Sequence, residues 1–253
     1  MLADVLPQEA FAFILIFARI GAMIMLLPGI GENSVPARIR LSFALAVSFL
    51  MYFVNFGIVP PIPDVMLEMV AVIMKEVIVG LMIGLASRLI LTSMHVAGTI
   101  ISFHVGLSAA QNFDPNQGAQ GAIVSAFLTI FAILIIFATD MHHLLIQAMG
   151  ESYYMFPIGA SLQFNEFGLQ VTQVVSDAFM LGVQMASPFI LYTIVFNSAL
   201  GLVSRVLPQF QIFFIAMPAN ILVGFILLSM LIPAIMIWFM QYFENQVMIF
   251  IPQ

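Results

Sequence analysis

The run "AIVSAFLTIFAILIIFAT", residues 122–139, contains no charged side chain over a length that can cross a lipid bilayer. A membrane-spanning helix needs about 20 mostly apolar residues. The rest of the chain agrees with this segment, because 63% of the 253 residues are hydrophobic and 7% are charged. Soluble domains average about 25% charged residues. The composition therefore predicts an all-α, multi-pass membrane protein.

Outward from this run, the apolar pattern predicts six helical segments, three of them longer than one crossing needs. Tight hairpins, steep tilt, or helices that continue outside the bilayer as a packed bundle would each explain the excess length. Pro188, Pro218 and Pro233 lie inside the late segments and predict kinks there. The spacing of Gly80 and Gly84 allows close helix approach. The six segments are residues 10–28, 41–59, 65–103, 122–139, 171–204 and 212–243.

The few basic residues predict a topology. Arg38 and Arg40 lie in the first connection and Arg205 lies in the last, whereas the connections at 55–64 and 140–166 carry acids and no bases. Under the positive-inside rule, the arginine-bearing connections lie in the cytoplasm and both termini lie outside. A net charge of −6 without a basic cluster also argues against nucleic acid as a partner.

Several charges lie within apolar runs, notably Lys75, Glu76 and Arg88. Ionisable groups at membrane depth are costly and usually face protein, a partner or a water-filled path. One hypothesis is an ion pathway or a secondary transporter that uses Lys75 and Glu76. The other is structural pairing, which the pattern favours because no second carboxylate continues a relay. Neighbours on a helix point roughly 100° apart, so each group is expected to pair with another segment or chain.

No pattern in the chain indicates catalysis, a cofactor or a metal. The sequence has no cysteine, no phosphate-binding glycine loop and no HExxH spacing. The motif "TDMHHLL" (139–145) places two histidines side by side, where they are expected to point to different helix faces. We therefore expect a non-enzymatic protein with no metal site.

Several motifs together resemble the FliR family, the R subunit of the flagellar type III secretion export gate, with injectisome relatives that are similar. The motifs are "PGIGENSVPARIR" (28–40), "KEVIVGLMIGLASR" (75–88), "DPNQGAQG" (114–121), "TDMHHLL" (139–145), "SYYMFPIG" (152–159) and "ASPFILYTIVFNSALGLVSRVLPQFQIFFIAMPANILVG" (186–224). They occur in family order over nearly the whole chain.

The resemblance implies a helical hetero-oligomeric assembly rather than a self-contained bundle. Residues 1–165 would be a part similar to the P subunit, and residues 166–253 a hairpin similar to the Q subunit. The chain would join several copies of P and Q in the bacterial inner membrane, within the flagellar basal body, with part of the assembly raised toward the periplasm. Unfolded flagellar proteins would pass through it, and the autoprotease-type switch subunit and the export ATPase apparatus would be partners.

The resemblance also gives a role to residues 106–122, a polar, glycine-bearing loop between apolar segments. Such a loop is tolerated at membrane depth only where protein or water surrounds it, and in this family it would be a pore plug. An ordinary connection, or a scaffold without gating, remains the alternative. The expected plug residues are Gln111, Asn112, Phe113, Asp114, Pro115, Asn116, Gln117, Gly118 and Gly121. The expected contacts between subunits or helices are Arg38, Arg40, Lys75, Glu76, Arg88, Arg205, Gln209 and Gln211.

Overall fold

The computed structural model describes residues 2–54, 60–107, 123–159, 164–206 and 212–251. Within these ranges the chain forms seven α-helices and no strand, so the predicted all-α class is confirmed. The helices are α1 (Leu2–Leu26), α2 (Ala37–Val54), α3 (Met66–Val105), α4 (Ile123–Ala138), α5 (His142–Met155), α6 (Phe164–Val206) and α7 (Ile212–Met248).

Five of these helices are long and apolar enough to cross a membrane, namely α1, α2, α3, α6 and α7. This confirms a multi-pass membrane protein. The predicted fourth span differs, because α4 has only 16 residues and is followed by α5 after a bend of 76°. The bend coincides with Asp140, whose φ of 59° is left-handed and cannot continue a right-handed helix.

The three long segments are each one continuous helix, of 40 residues in α3, 43 in α6 and 37 in α7. A tight hairpin inside any of them is therefore excluded. At 1.5 Å per residue, α3 extends about 60 Å, about twice the hydrocarbon thickness of a bilayer. Pro188 lies within α6, and Pro218 and Pro233 lie within α7. The predicted kinks at these prolines stay predictions.

The contacts divide the chain into two compact units. The first comprises Met1–Ile90, Phe137–Val175 and Phe243–Gln253, and the second comprises Leu91–Ile136 and Ser176–Tyr242. Their boundaries fall inside α3, α4, α6 and α7 rather than in connections. The predicted division near residue 165 into parts similar to P and Q stays a prediction.

In the first unit, α1 presents a buried stripe at helical spacing toward α2 and α3. Leu15, Ile16, Ile20 and Ile24 are all completely buried, as expected for the apolar face of a helix that is packed against others. Arg19 lies within this stripe and is equally buried. A charge in the middle of an apolar face requires a partner on the facing helices.

The second unit is built around the C-terminal half of α3. Met94, Ala97 and Ile101 of α3 are fully buried. Three small residues allow other helices to approach: Gly98 of α3 lies against the Ser125 backbone in α4, Gly182 of α6 against Val96, and Gly224 of α7 against Val105. A Cβ atom at any of the three would be too close to its neighbour, so the packing depends on glycine.

Candidate functional site

A buried ion pair joins α1 to α3 in the first unit. Nε of Arg19 lies 2.6 Å from Oε2 of Glu76, and the two side chains are 0% and 2% exposed. Removing two charges from water is costly, and the attraction between them offsets this cost only if their other polar atoms are also satisfied. The surroundings of Arg19 therefore decide whether the pair is stable.

The remaining nitrogens of Arg19 bind the C-terminal end of α5. Nη1 donates to the carbonyl oxygen of Ser152 at 3.0 Å, and Nη2 donates to the carbonyl oxygen of Phe156 at 2.8 Å. The guanidinium carbon also lies 4.3 Å from the centroid of the Tyr153 ring, within cation–π range. The Ser152 carbonyl oxygen also accepts the Phe156 N–H at 2.9 Å, and the last carbonyls of a helix carry its negative partial charge. Arg19 thus neutralises Glu76 and caps α5 with one side chain.

Glycines in α3 explain why Glu76 can reach Arg19. A Cβ atom at Gly80 would overlap the Arg19 carbonyl oxygen and come within 2.9 Å of the Ala22 Cβ atom. One turn further along, a Cβ atom at Gly84 would lie 3.0 Å from the Met23 carbonyl oxygen. The absence of side chains at both positions lets the backbones of α1 and α3 nearly touch. This contact places Glu76, one turn before Gly80, level with the Arg19 guanidinium.

In the second unit, the end of α3 is tied to α6 and α7 through one carbonyl group. The His104 carbonyl oxygen accepts a hydrogen bond from Nδ2 of Asn220 at 3.2 Å. It also lies 3.2 Å from Oγ1 of Thr193, whose single proton is shared with the Phe189 carbonyl oxygen at 2.8 Å. Gly106 follows with a left-handed φ of 86°, a conformation that glycine adopts without steric cost. The chain leaves α3 from this anchored turn toward residues 108–122, which lie outside the described residues.

A half-open cavity of about 200 Å³ lies beside this turn. Asn220 forms part of its wall, and its Oδ1 atom is buried without a hydrogen-bond partner among the described residues. Because Nδ2 of Asn220 is held by the His104 carbonyl oxygen, the orientation of the amide is fixed and Oδ1 remains an unused acceptor. The lining residues are Gly106, Phe196, Asn197, Leu200, Ala216, Met217 and Asn220.

Comparison with known proteins places the whole helical chain in one family. The family model described as "Bacterial export proteins, family 1" matches residues 10–246. This chain is a family 1 bacterial export protein. The resemblance to the FliR family is thereby confirmed, since curated relatives with the name "Flagellar biosynthetic protein FliR" align along nearly all of it.

Three curated relatives align with this family 1 export protein over most of its length. The one from Caulobacter vibrioides is 41% identical over 93% of this chain and 94% of the relative. The one from Bacillus subtilis is 31% identical over 86% of this chain and 84% of the relative. The one from Aquifex aeolicus is 30% identical over 96% and 94%, respectively. The match therefore includes both units and every helix that forms the polar clusters.

The structure of this export protein places the predicted polar-contact residues in different environments. Glu76 is buried against Arg19, while neighbouring Lys75 is partly exposed and has no carboxylate within ion-pair distance among the described residues. Arg88 of α3 and Arg205 of α6 are exposed, as is Arg38 of α2. Arg40 is partly buried, and its Nε atom lacks a partner in the described part of the chain.

The remaining predicted site residues of the export protein lie outside the described residues. They are Gln209 and Gln211 and the plug residues Gln111, Asn112, Phe113, Asp114, Pro115, Asn116, Gln117, Gly118 and Gly121. Of the predicted loop at 106–122, only its first turn at Gly106 and Leu107 is described. The plug assignment therefore stays a prediction.

Sequence reasoning gave no role to three residues that the structure of this export protein singles out. Arg19 was visible as the lone arginine of an apolar run, and that isolation was the available signal. Thr193 and Asn220 carry no charge and gave no such signal. Only the tertiary arrangement shows that both lie within hydrogen-bond distance of the same carbonyl group.

Proposed function

We propose that this family 1 export protein is a non-enzymatic core subunit of the flagellar type III protein export gate. The observation that carries the proposal is the family match over residues 10–246, together with relatives whose name is that of a flagellar biosynthetic protein. In this role the chain forms part of the conduit for unfolded flagellar proteins. It acts in the bacterial inner membrane, in the flagellar basal body, with part of the assembly raised toward the periplasm.

The helices support an assembly with other subunits. In the isolated chain α6 exposes large apolar side chains, including Leu191, Ile194 and Val195 at 66%, 58% and 69%. Where a helix is longer than the bilayer is thick, lipid tails alone cannot cover all of its apolar surface. Several copies of the P and Q subunits would cover it. The switch subunit and the export ATPase apparatus are further partners in this proposal.

Residues 106–122 act as the plug of the conduit in this proposal. α3 and α4 meet at Gly98 and Ser125, and Nδ1 of His95 lies 2.6 Å from Oγ of Ser125. Residues 108–122, which lie between these two helices in the sequence, are outside the described residues. The anchored turn at Gly106 gives the segment a fixed origin.

Native mass spectrometry tests the subunit role. The tagged protein would be expressed with its neighbouring genes and extracted in mild detergent. We expect a defined complex that contains one copy of this chain and several copies of two other small membrane proteins. A uniform, stable monomer or homodimer would overturn the proposal, because the apolar surface of α6 would then need no partner.

Deletion of residues 111–121 tests the plug separately. If these residues close the conduit, their removal increases ion leakage across the membrane while the complex still assembles. A control deletion of the C-terminal residues 252–253 should leave leakage unchanged. Normal leakage with an intact complex would support a scaffold without gating and reject the plug.

Transport of a small solute through Lys75 and Glu76 is the alternative function. Glu76 is engaged by Arg19 and excluded from solvent, whereas a relay group must exchange protons or ions with a water-filled path. This geometry favours the structural role. A Glu76→Gln variant that assembles normally but loses a proton-coupled solute flux would instead support transport.

A further inference from the structure

We propose that Asp140, His142 and His143 bind one divalent transition-metal ion at the bend between α4 and α5. A potential ligand atom from each of these side chains lies within 4.8 Å of those from the other two. Imidazole nitrogen and carboxylate oxygen are ligands that Zn²⁺ accepts, and three protein ligands leave a fourth position for water. All three residues belong to the first unit, and the site is independent of the export function.

The bend removes the geometric objection that the sequence raised. Neighbouring histidines inside a helix diverge, but His142 is the first residue of α5 and Asp140 precedes the helix in a left-handed conformation. Asp140 thereby turns back toward the first turn of α5, where its Oδ1 lies 3.9 Å from Nδ1 of His143. The two imidazole rings come to a centroid separation of 4.2 Å. The third ligand that the motif appeared to lack is therefore supplied by the turn.

His143 is oriented by the backbone as metal-binding histidines usually are. Its Nδ1 lies 3.0 Å from the Asp140 carbonyl oxygen. A carbonyl can only accept, so Nδ1 donates in this contact and His143 would coordinate through Nε2. The 3.9 Å between Nδ1 and Oδ1 of Asp140 shows that the two side chains are adjacent and is not itself a distance between ligand atoms. In metal sites, a hydrogen bond from the ring nitrogen that does not bind the metal commonly fixes the tautomer and direction of a ligand histidine.

His142 has an unused nitrogen at the same place. Its Nδ1 is buried and has no hydrogen-bond partner among the described residues. The ring is held by stacking on Phe137, with centroids 5.0 Å apart and planes at 19°. A buried polar atom without a partner costs free energy, and coordination to an ion would offset that cost. The Asp140 and His143 side chains are 79% and 66% exposed, so an ion can reach the site from solvent.

Zn²⁺ titration by isothermal calorimetry tests the site. The full chain would be purified in mild detergent through a tag without histidine. The chain has four histidines, so the matched control replaces the other two, His95→Gln with His104→Gln. We expect wild type and control each to bind one Zn²⁺ per chain. Asp140→Asn, which suits a left-handed residue, and His143→Gln should each weaken binding at least tenfold, roughly the effect of disturbing a metal site.

The double variant His142→Phe with His143→Gln should show no saturable binding, and its phenylalanine preserves the stacking on Phe137. Far-UV circular dichroism checks that each variant is folded. If the double variant is not folded, Zn²⁺ binding by Asp140→Asn alone tests the proposal. The proposal fails if wild type shows no saturable binding below about 1 mM Zn²⁺. It also fails if the folded cluster variants bind as wild type does, or if only the control variant loses the ion.

Discussion

Arg19 of α1 and Glu76 of α3 form an ion pair of 2.6 Å from which solvent is excluded. The guanidinium of Arg19 reaches past the pair to the last carbonyls of α5. Three helices of the first unit therefore depend on one side chain. The two residues of the ion pair differ in their number of partners, because Glu76 has one charged partner while Arg19 has several acceptors.

Removal of Glu76 should destabilise the protein strongly. Glu76→Ala leaves a buried arginine without a counter-charge, which costs about 3–5 kcal/mol in comparable pairs. Thermal unfolding of the detergent-solubilised chain would measure the loss. Lys75→Ala is the matched control, since Lys75 is the next residue, is partly exposed and makes no ion pair within the described residues. The double variant Arg19→Met with Glu76→Met should recover part of the stability. An equal loss in Lys75→Ala would contradict this account.

The contact between α1 and α3 should not tolerate a side chain at Gly80. Gly80→Ala would place a Cβ atom onto the Arg19 carbonyl oxygen, and overpacking of this kind costs about 1–3 kcal/mol. Gly201→Ala in α6 is the control, because no atom lies within 4 Å of its added Cβ and alanine is the better helix former. We expect a lower unfolding temperature for the first variant only. Similar unfolding temperatures for both variants would show that α1 and α3 can separate freely.

Loss of the Asn220 amide should loosen the end of α3. Asn220→Leu removes the amide donor to the His104 carbonyl oxygen, which weakens the anchor by about 1 kcal/mol. If residues 106–122 close the conduit, ion leakage in cells that carry the gate should rise, as followed by a membrane-potential dye. Asn197→Leu alters the wall of the same cavity without touching this anchor. Equal leakage from both variants would assign the effect to the cavity and not to the hydrogen bond.

The turn at Gly106 should prefer residues that accept a left-handed backbone. Gly106→Ala is expected to cost about 1–2 kcal/mol, because a Cβ atom disfavours positive φ, while Gly106→Asn should cost less. Secretion of flagellar proteins into the medium and thermal unfolding would both report the change. Gly168→Ala serves as control, since no atom lies within 4 Å of its added Cβ. If alanine and asparagine at Gly106 behave alike, backbone strain is not the cause of any defect.

The sequence was sufficient for the helical class and for the position of the long apolar segments, because apolar composition over many residues is a local property. It left open whether each long segment was one helix or a hairpin. It placed α3 at residues 65–103, and the helix extends over Met66–Val105. The predicted segment 122–139 ends within one residue of α4, but the prediction treated residues 140–166 as a connection and so missed the bend and the helix α5 that follows it. One backbone angle at Asp140 changes the direction of the chain there.

The polar clusters could be predicted only in part. The position of Glu76 in an apolar run indicated a need for a partner on another segment, but the partner lies 57 residues away. Its identity depends on which helices are neighbours, and that follows from glycine contacts such as the one at Gly80. Gly80 and Gly84 were recognisable as a spacing that permits close approach. The sequence did not show which helix would approach them.

The hydrogen bond from Arg19 to the Ser152 carbonyl has a consequence for biosynthesis. These residues are 133 positions apart, and ribosomes add about 5–20 residues per second, so Arg19 is made on the order of ten seconds before this acceptor. Glu76 is translated well before Ser152 and is therefore the first of these two partners of Arg19 to be made. We therefore expect Arg19 of α1 and Glu76 of α3 to be paired when these helices enter the membrane. The nascent chain then adds α5, whose carbonyl groups complete the coordination of an arginine that is already in place.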